Sequence, residues 1–260
     1  MKNLHNILML ELYRAIFSFK FLVIVFTVTL ILFIGSSSEL SLAKDVLYLF
    51  KYSIEASGLG YLLPLIGSLP HAASFAADYT SKYYRMMLSR TTPSGYAWSK
   101  VISCSLAGGI SIIIGITIYL LRYAIRYPLV SSSAANYEYF VAKTIGGNYL
   151  TTSIPAIYFI ICLILIFFYC IFWSCIGLCV SSFIPNTLVS YFSPFILSYI
   201  LNAFSKQLPT YIRLKSISNG TVIIQNFSFS LIYAICVFTF LTLLFGLITH
   251  NKIVWRIQND

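Results

Sequence analysis

Charged residues are so sparse along this chain that the intervals between them mark out its elements. Ionised side chains are costly in a hydrocarbon layer, and a helix needs about 20 residues to cross one. Between Lys20 and Glu39 lie 18 residues without Asp, Glu, Lys or Arg, between Glu55 and Asp78 lie 22, and between Lys100 and Arg122 lie 21. Each interval fits one span. The 62 such residues from 144 to 205 are enough for two helices, and Pro185-Asn186 is the predicted turn between them, since proline lacks the N–H that a continuing helix uses. The 36 residues from 216 to 251 hold one more span, preceded by the polar segment SISNGTVIIQN. The pattern predicts six membrane helices, near 18–37, 56–77, 101–121, 154–181, 187–204 and 228–249. The first run lacks a small-x-small cleavage site and reads as an uncleaved helix. An even count puts both termini on one side. Placing them inside gives nine inner Lys and Arg against eight outside, a weak positive-inside bias, with Glu39, Asp45, Glu55 and Glu138 outside.

Two segments are patterned but are not spans. In residues 3–19, Leu4, Ile7, Leu8, Leu12, Ala15, Ile16 and Phe19 recur at three- and four-residue spacing, which predicts an amphipathic helix lying in the membrane interface. Glu11 and Arg14 are one turn apart and are expected to pair on its wet side, worth a few tenths of a kcal/mol. The other segment, residues 75–100, carries Asp78, Lys82, Arg85, Arg90 and Lys100 between the second and third spans. Residues 78–90 contain no Gly or Pro and predict one short helix, ended by the turn signal Thr92-Pro93-Ser94-Gly95. A short amphipathic helix between spans suits docking to a partner.

Composition agrees with this layout: 59% of the 260 residues are hydrophobic and 9% are charged, which excludes a soluble globular domain and leaves no stretch for a second one. The chain reads as a single membrane domain, 1–260. Its net charge of +10 is scattered singly between apolar runs, so lipid headgroups rather than nucleic acid are the expected counter-charge. The six cysteines fall inside apolar runs and behave as small hydrophobes. Cys175 and Cys179 share a helix face, but no His or carboxylate near them in sequence completes a metal site.

Catalytic chemistry finds little support. The chain has no G-x-x-x-x-G-K-[ST] loop for nucleotide phosphates, and Gly108-Gly109 and Gly146-Gly147 read as close helix packing or a loop turn. His5, His71 and His250 are dispersed. His71 and Asp78 are seven residues apart and could share a face, though a histidine near an interface is commonly just solvated. An intramembrane enzyme would need a nucleophile and base that are not evident. A secondary transporter driven by ions would need carboxylates or broken helices near the midplane. Every Asp and Glu falls outside the central spans, and only Pro64, Pro155 and Pro194 offer helix breaks.

The run of Phe75, Asp78-Tyr79, Ser81, Arg85, Leu88-Ser89-Arg90, Tyr96 and Ser99-Lys100 ahead of a span resembles the permease subunits of the ABC transporter type-2 family. The N-terminal LELYRAIFSFKF is similar to that family's entry helix. Two positions depart from the pattern: Lys82 stands where a small residue such as Gly is common, and Gly95 where a second basic residue is often found. The resemblance implies an all-α integral membrane fold of six transmembrane helices, with an N-terminal interfacial helix and a cytoplasmic coupling helix between spans two and three. It implies a cell-membrane location with both termini cytoplasmic, pairing with a second permease copy or paralogue, and docking of a separate ABC ATPase subunit. Glu11 and Arg14 on the entry helix, and Asp78, Arg85, Ser89 and Arg90 in or beside the coupling helix, would then transmit force rather than react. No cofactor would be held by this chain, because ATP binds the partner. The family exports antimicrobial peptides, drugs, lipid-linked glycans and ions, and spans without buried charge favour a hydrophobic or peptide-like cargo here.

Overall fold

The computed structural model describes residues 2–134, 136–152, 154–205, 207–222 and 226–259, with side chains from His5 onward. In chain order the helices are α1 (Lys2–Ile16), α2 (Phe19–Ser36), α3 (Val46–Ala56), α4 (Leu59–Ser68), α5 (Ser74–Thr80), α6 (Tyr83–Leu88), α7 (Pro93–Ala124), α8 (Tyr137–Lys143), α9 (Ala156–Phe183), α10 (Thr187–Ser205), α11 (Leu214–Ser218) and α12 (Phe227–Asn259). Among the described residues there is no β-strand, only a lone antiparallel bridge between Thr144 and Thr221. Five helices, α2, α7, α9, α10 and α12, are long and apolar enough to cross a membrane.

The helix ends follow local chemistry. Ser18 separates α1 from α2, its Oγ accepting from Phe21 N at 3.2 Å. The expected break at Pro185-Asn186 falls between α9 and α10. Thr92-Pro93-Ser94-Gly95 marks a helix start rather than a free turn: Thr92 Oγ1 caps Gly95 N at 3.1 Å and Pro93 is the first residue of α7. As a result α7 begins eight residues before the expected span and includes Lys100. α12 likewise runs to Asn259, well past the expected 249, because Lys252 lies over the ring of Trp255 at 4.0 Å and Arg256 Nη2 donates to Phe183 O at 2.6 Å.

The expected second span at 56–77 is a broken element. It comprises the ten-residue α4, turns over 69–73, and the short α5. Pro70 explains the interruption, since it lacks the N–H that would bond the carbonyl of Ile66. The expected single helix over 78–90 is also divided, into α5 and α6, at Lys82 with φ +58. That is the left-handed region glycine adopts freely, so the departure from the glycine-bearing pattern falls where the backbone would favour glycine.

α7 and α9 form the centre of the bundle, whereas α10 and α12 bury only 17% of their most apolar windows and expose Phe192, Ile196, Phe204, Phe240 and Leu247. Close approach at the centre depends on small residues. A Cβ on Gly108 of α7 would overlap the carbonyl oxygen of Gly67 on α4 and come within 2.7 Å of the Ser174 side chain on α9. Farther along, Tyr169 and Phe238 join α9 to α12 with rings 5.7 Å apart.

One end of the bundle gathers α1, α5, α6 and the start of α7. The opposite end is covered by α3, α8 and α11, together with a 3₁₀ turn at Gly147–Thr151. There Asp45 caps α3 by accepting from Tyr48 N and also accepts from Ser131 N, both at 2.8 Å, which ties α3 to the loop after α7. Gly146, at φ +81, makes the turn expected of the Gly146-Gly147 pair.

Candidate functional site

Along α1 the buried line is Ile7, Glu11 and Ala15, at four-residue spacing. Glu11 is therefore wholly buried on the packed face, which corrects the expected wet-side pair with Arg14. The pair itself forms: Arg14 Nη1 donates to Glu11 Oε1 at 2.8 Å. What changes its position is a second cation. Lys100 of α7 is completely buried and places Nζ 2.7 Å from Glu11 Oε2 and 2.6 Å from Asp78 Oδ2.

Asp78, near the end of α5, closes the ring. Its Oδ1 accepts from Arg14 Nη2 at 3.1 Å, and its Oδ2 also accepts from Tyr96 OH at 2.9 Å. The Arg14 guanidinium lies 4.8 Å over the ring of Tyr83 on α6, and His71 Nε2 stands 3.4 Å from Glu11 Oε2. Two carboxylates thus meet one ammonium and one guanidinium, each carboxylate touching both cations. The cluster is neutral and its charges are mutually satisfied, the condition under which buried ions are tolerated. It joins α1, the turn after α4, α5 and α7 through side chains that are far apart in sequence.

Burial alone would raise the Glu11 carboxyl. The hydrogen bond with His71, the charge and hydrogen bond of Lys100 and the charge of Arg14 together outweigh burial and hold it down at about 2. Glu11 is accordingly ionised across the physiological range and serves as an anchor rather than a proton carrier.

The six residues expected at a coupling interface divide into two groups. Glu11, Arg14 and Asp78 are brought together in the buried cluster. Arg85, Ser89 and Arg90 lie outside it, on the exposed side of α6 and just past its end, together with Lys82 and the largely exposed Met86. Arg85 Nε donates to Tyr84 OH at 3.3 Å, and Ser89 Oγ donates to Met86 O at 2.8 Å. The opposite side of α6 is buried: Tyr84 and Met87 pack with Phe75, Tyr96 and Ile7. At the same end Ala76 N donates to Ser181 Oγ at 3.0 Å, fixing the first turn of α5 to α9.

Lys100, His71 and Tyr96 are the cluster members that sequence reasoning did not assign. Lys100 entered as a span boundary and as part of the resembling run, with no role assigned to it, and His71 was expected to be solvated. The available clue was spacing: Tyr96 and Lys100 share a face of α7 at i, i+4, as Ile7 and Glu11 do on α1.

These features define a class, an all-α membrane protein with several crossings whose long apolar helices meet in a charge-bearing end. No protein-family model, curated protein or solved structure matches the chain.

Proposed function

We propose that this chain is the membrane-spanning permease subunit of an ATP-binding-cassette exporter of the type-2 class. On this reading it crosses the cell membrane six times with both termini in the cytoplasm, and the segment from α4 through α5 is the crossing additional to the five long helices. The observation that carries the proposal is the ion-pair cluster joining an amphipathic entry helix to the short helices between spans, with a basic, methionine-centred surface beside it on α6. A surface of this kind suits an acidic groove on a soluble partner. An ATPase subunit docked on α6 would push on a unit already tied to α1 and α7, so its motion would reach the bundle without this chain binding nucleotide. A second copy or a paralogue would complete the pathway, and an amphipathic compound such as an antimicrobial peptide or a drug is the favoured cargo.

The test is to purify the tagged chain from its native membranes in mild detergent and measure ATP hydrolysis in the eluate. We expect wild type to retain ATPase activity and R85E/R90E to lose most of it with an unchanged melting profile, because both arginines are exposed. An eluate without ATPase activity, or a charge-reversed variant that retains all of it, would overturn the proposal.

A further inference from the structure

Away from the ion-pair cluster, two cavities meet at the opposite end of the bundle. The first, of about 410 Å³, is a crevice among α9, α10, α11 and α12, lined chiefly by apolar groups including Trp173, Leu201, Phe204, Val237, Phe240 and Leu241. The second, of about 500 Å³, lies between α10 and α11 and carries Arg213 and Lys215 with Tyr61, Tyr199 and Ser216. Asn202 and Ser205 line both, so the crevice and the basic cavity are neighbours. No carboxylate lines either one among the described residues.

Two properties restrict what fits. The crevice lies beside membrane-crossing helices, and its walls suit an acyl chain. Trp173 is buried beside Tyr169 at the crevice wall, where an acyl chain would lie against its ring. The Lys215 ammonium is held against the face of Tyr61 and, with Arg213, gives the neighbouring cavity two positive charges. Basic pockets beside membrane helices bind anionic headgroups.

We propose that these two neighbouring cavities together bind an anionic phospholipid, with an acyl chain in the crevice and the phosphate head near Lys215 and Arg213. The site stands apart from the ATPase-coupled reading and would exist whether or not that reading holds.

The chain has three tryptophans, and Trp98 and Trp255 lie near the other end, so a W98F/W255F variant makes Trp173 the sole fluorescent reporter. The variant is placed in phosphatidylcholine nanodiscs containing increasing fractions of lipid brominated on its acyl chains. We expect brominated phosphatidylglycerol to quench Trp173 at a mole fraction roughly tenfold lower than brominated phosphatidylcholine, the selectivity that two cations at a membrane surface can confer. R213Q/K215Q in the same background should abolish the difference. Equal quenching by the two lipids, or a preference that survives R213Q/K215Q, would overturn the proposal.

Discussion

Replacing Lys100 by methionine tests the buried cluster most directly. Methionine matches the length of the lysine stem and removes only the charge and its donors. With Glu11 and Asp78 each contributing −1 and Arg14 and Lys100 each +1, the cluster sums to zero, and K100M leaves it at −1. Both carboxylates lose their shorter contacts, 2.7 and 2.6 Å, and share an arginine that is itself partly exposed. Removing one member of a buried ion pair costs about 3–5 kcal/mol, chiefly through the charge left without compensation. For a chain of this size that corresponds to a fall in melting temperature of the order of 10 °C. Thiol-reactive fluorescence in detergent is a suitable assay, since Cys104, Cys162, Cys170, Cys175 and Cys179 are buried and become reactive on unfolding, while exposed Cys236 can be replaced by serine beforehand. Adding E11Q to K100M restores neutrality and should recover part of the loss, with a coupling of about 1–3 kcal/mol. A K100M protein that melts with wild type, or E11Q and K100M losses that simply add, would refute the reasoning.

Acidification should act through Glu11. Its folded value of about 2 lies below the ordinary 4.5, so its contribution of about 3 kcal/mol is complete above about pH 4.5 and is lost as pH falls toward 2. The melting difference between wild type and E11Q should therefore shrink between pH 5 and pH 3, and a constant difference would contradict the assignment. Gly108→Val should lower stability by at least 1–3 kcal/mol (about the usual overpacking cost), because its Cβ has no room beside Gly67 and Ser174; unchanged thermal unfolding would exclude that contact. Lys82→Gly should raise stability slightly, by up to about 1 kcal/mol, since it relieves a left-handed φ at some cost in unfolded-chain entropy, whereas Lys82→Ala should give no gain. Chemical unfolding of the two variants side by side checks the sign.

Charge-free intervals located the long helices well because ions and hydrocarbon are incompatible over the length of a span, and proline identified the α9–α10 turn. The same rule failed at Lys100. It treats every charge as a boundary, yet a lysine that meets two carboxylates can lie inside a helix that belongs to the core. On α1 the spacing groups Glu11 with Ile7 but does not show that a carboxylate can be buried there, because the distant partners that permit it are Lys100 on α7, 89 residues away, and His71 in the turn after α4, 60 residues away. The expected second span is not one helix for a local reason: Pro70 interrupts the segment, while hydropathy alone reads through the break. Arg85, Ser89 and Arg90 are exposed, and their separation from Glu11, Arg14 and Asp78 depends on the kink at Lys82, which no count of spacing predicts.

The tight contact at Gly108 has a mechanical consequence. Gly108 is the sixteenth of the 32 residues of α7, so a tight contact of this helix with both α4 and α9 falls at its midpoint. A helix of that length extends about 48 Å, with about 24 Å on either side of the contact. A rod that pivots at its centre moves its two ends in opposite directions: a tilt of about 5° carries each tip about 2 Å, inward at one end and outward at the other. The ion pairs at Lys100 grip one arm of this beam, and the other arm reaches the cover formed by α3 and α8.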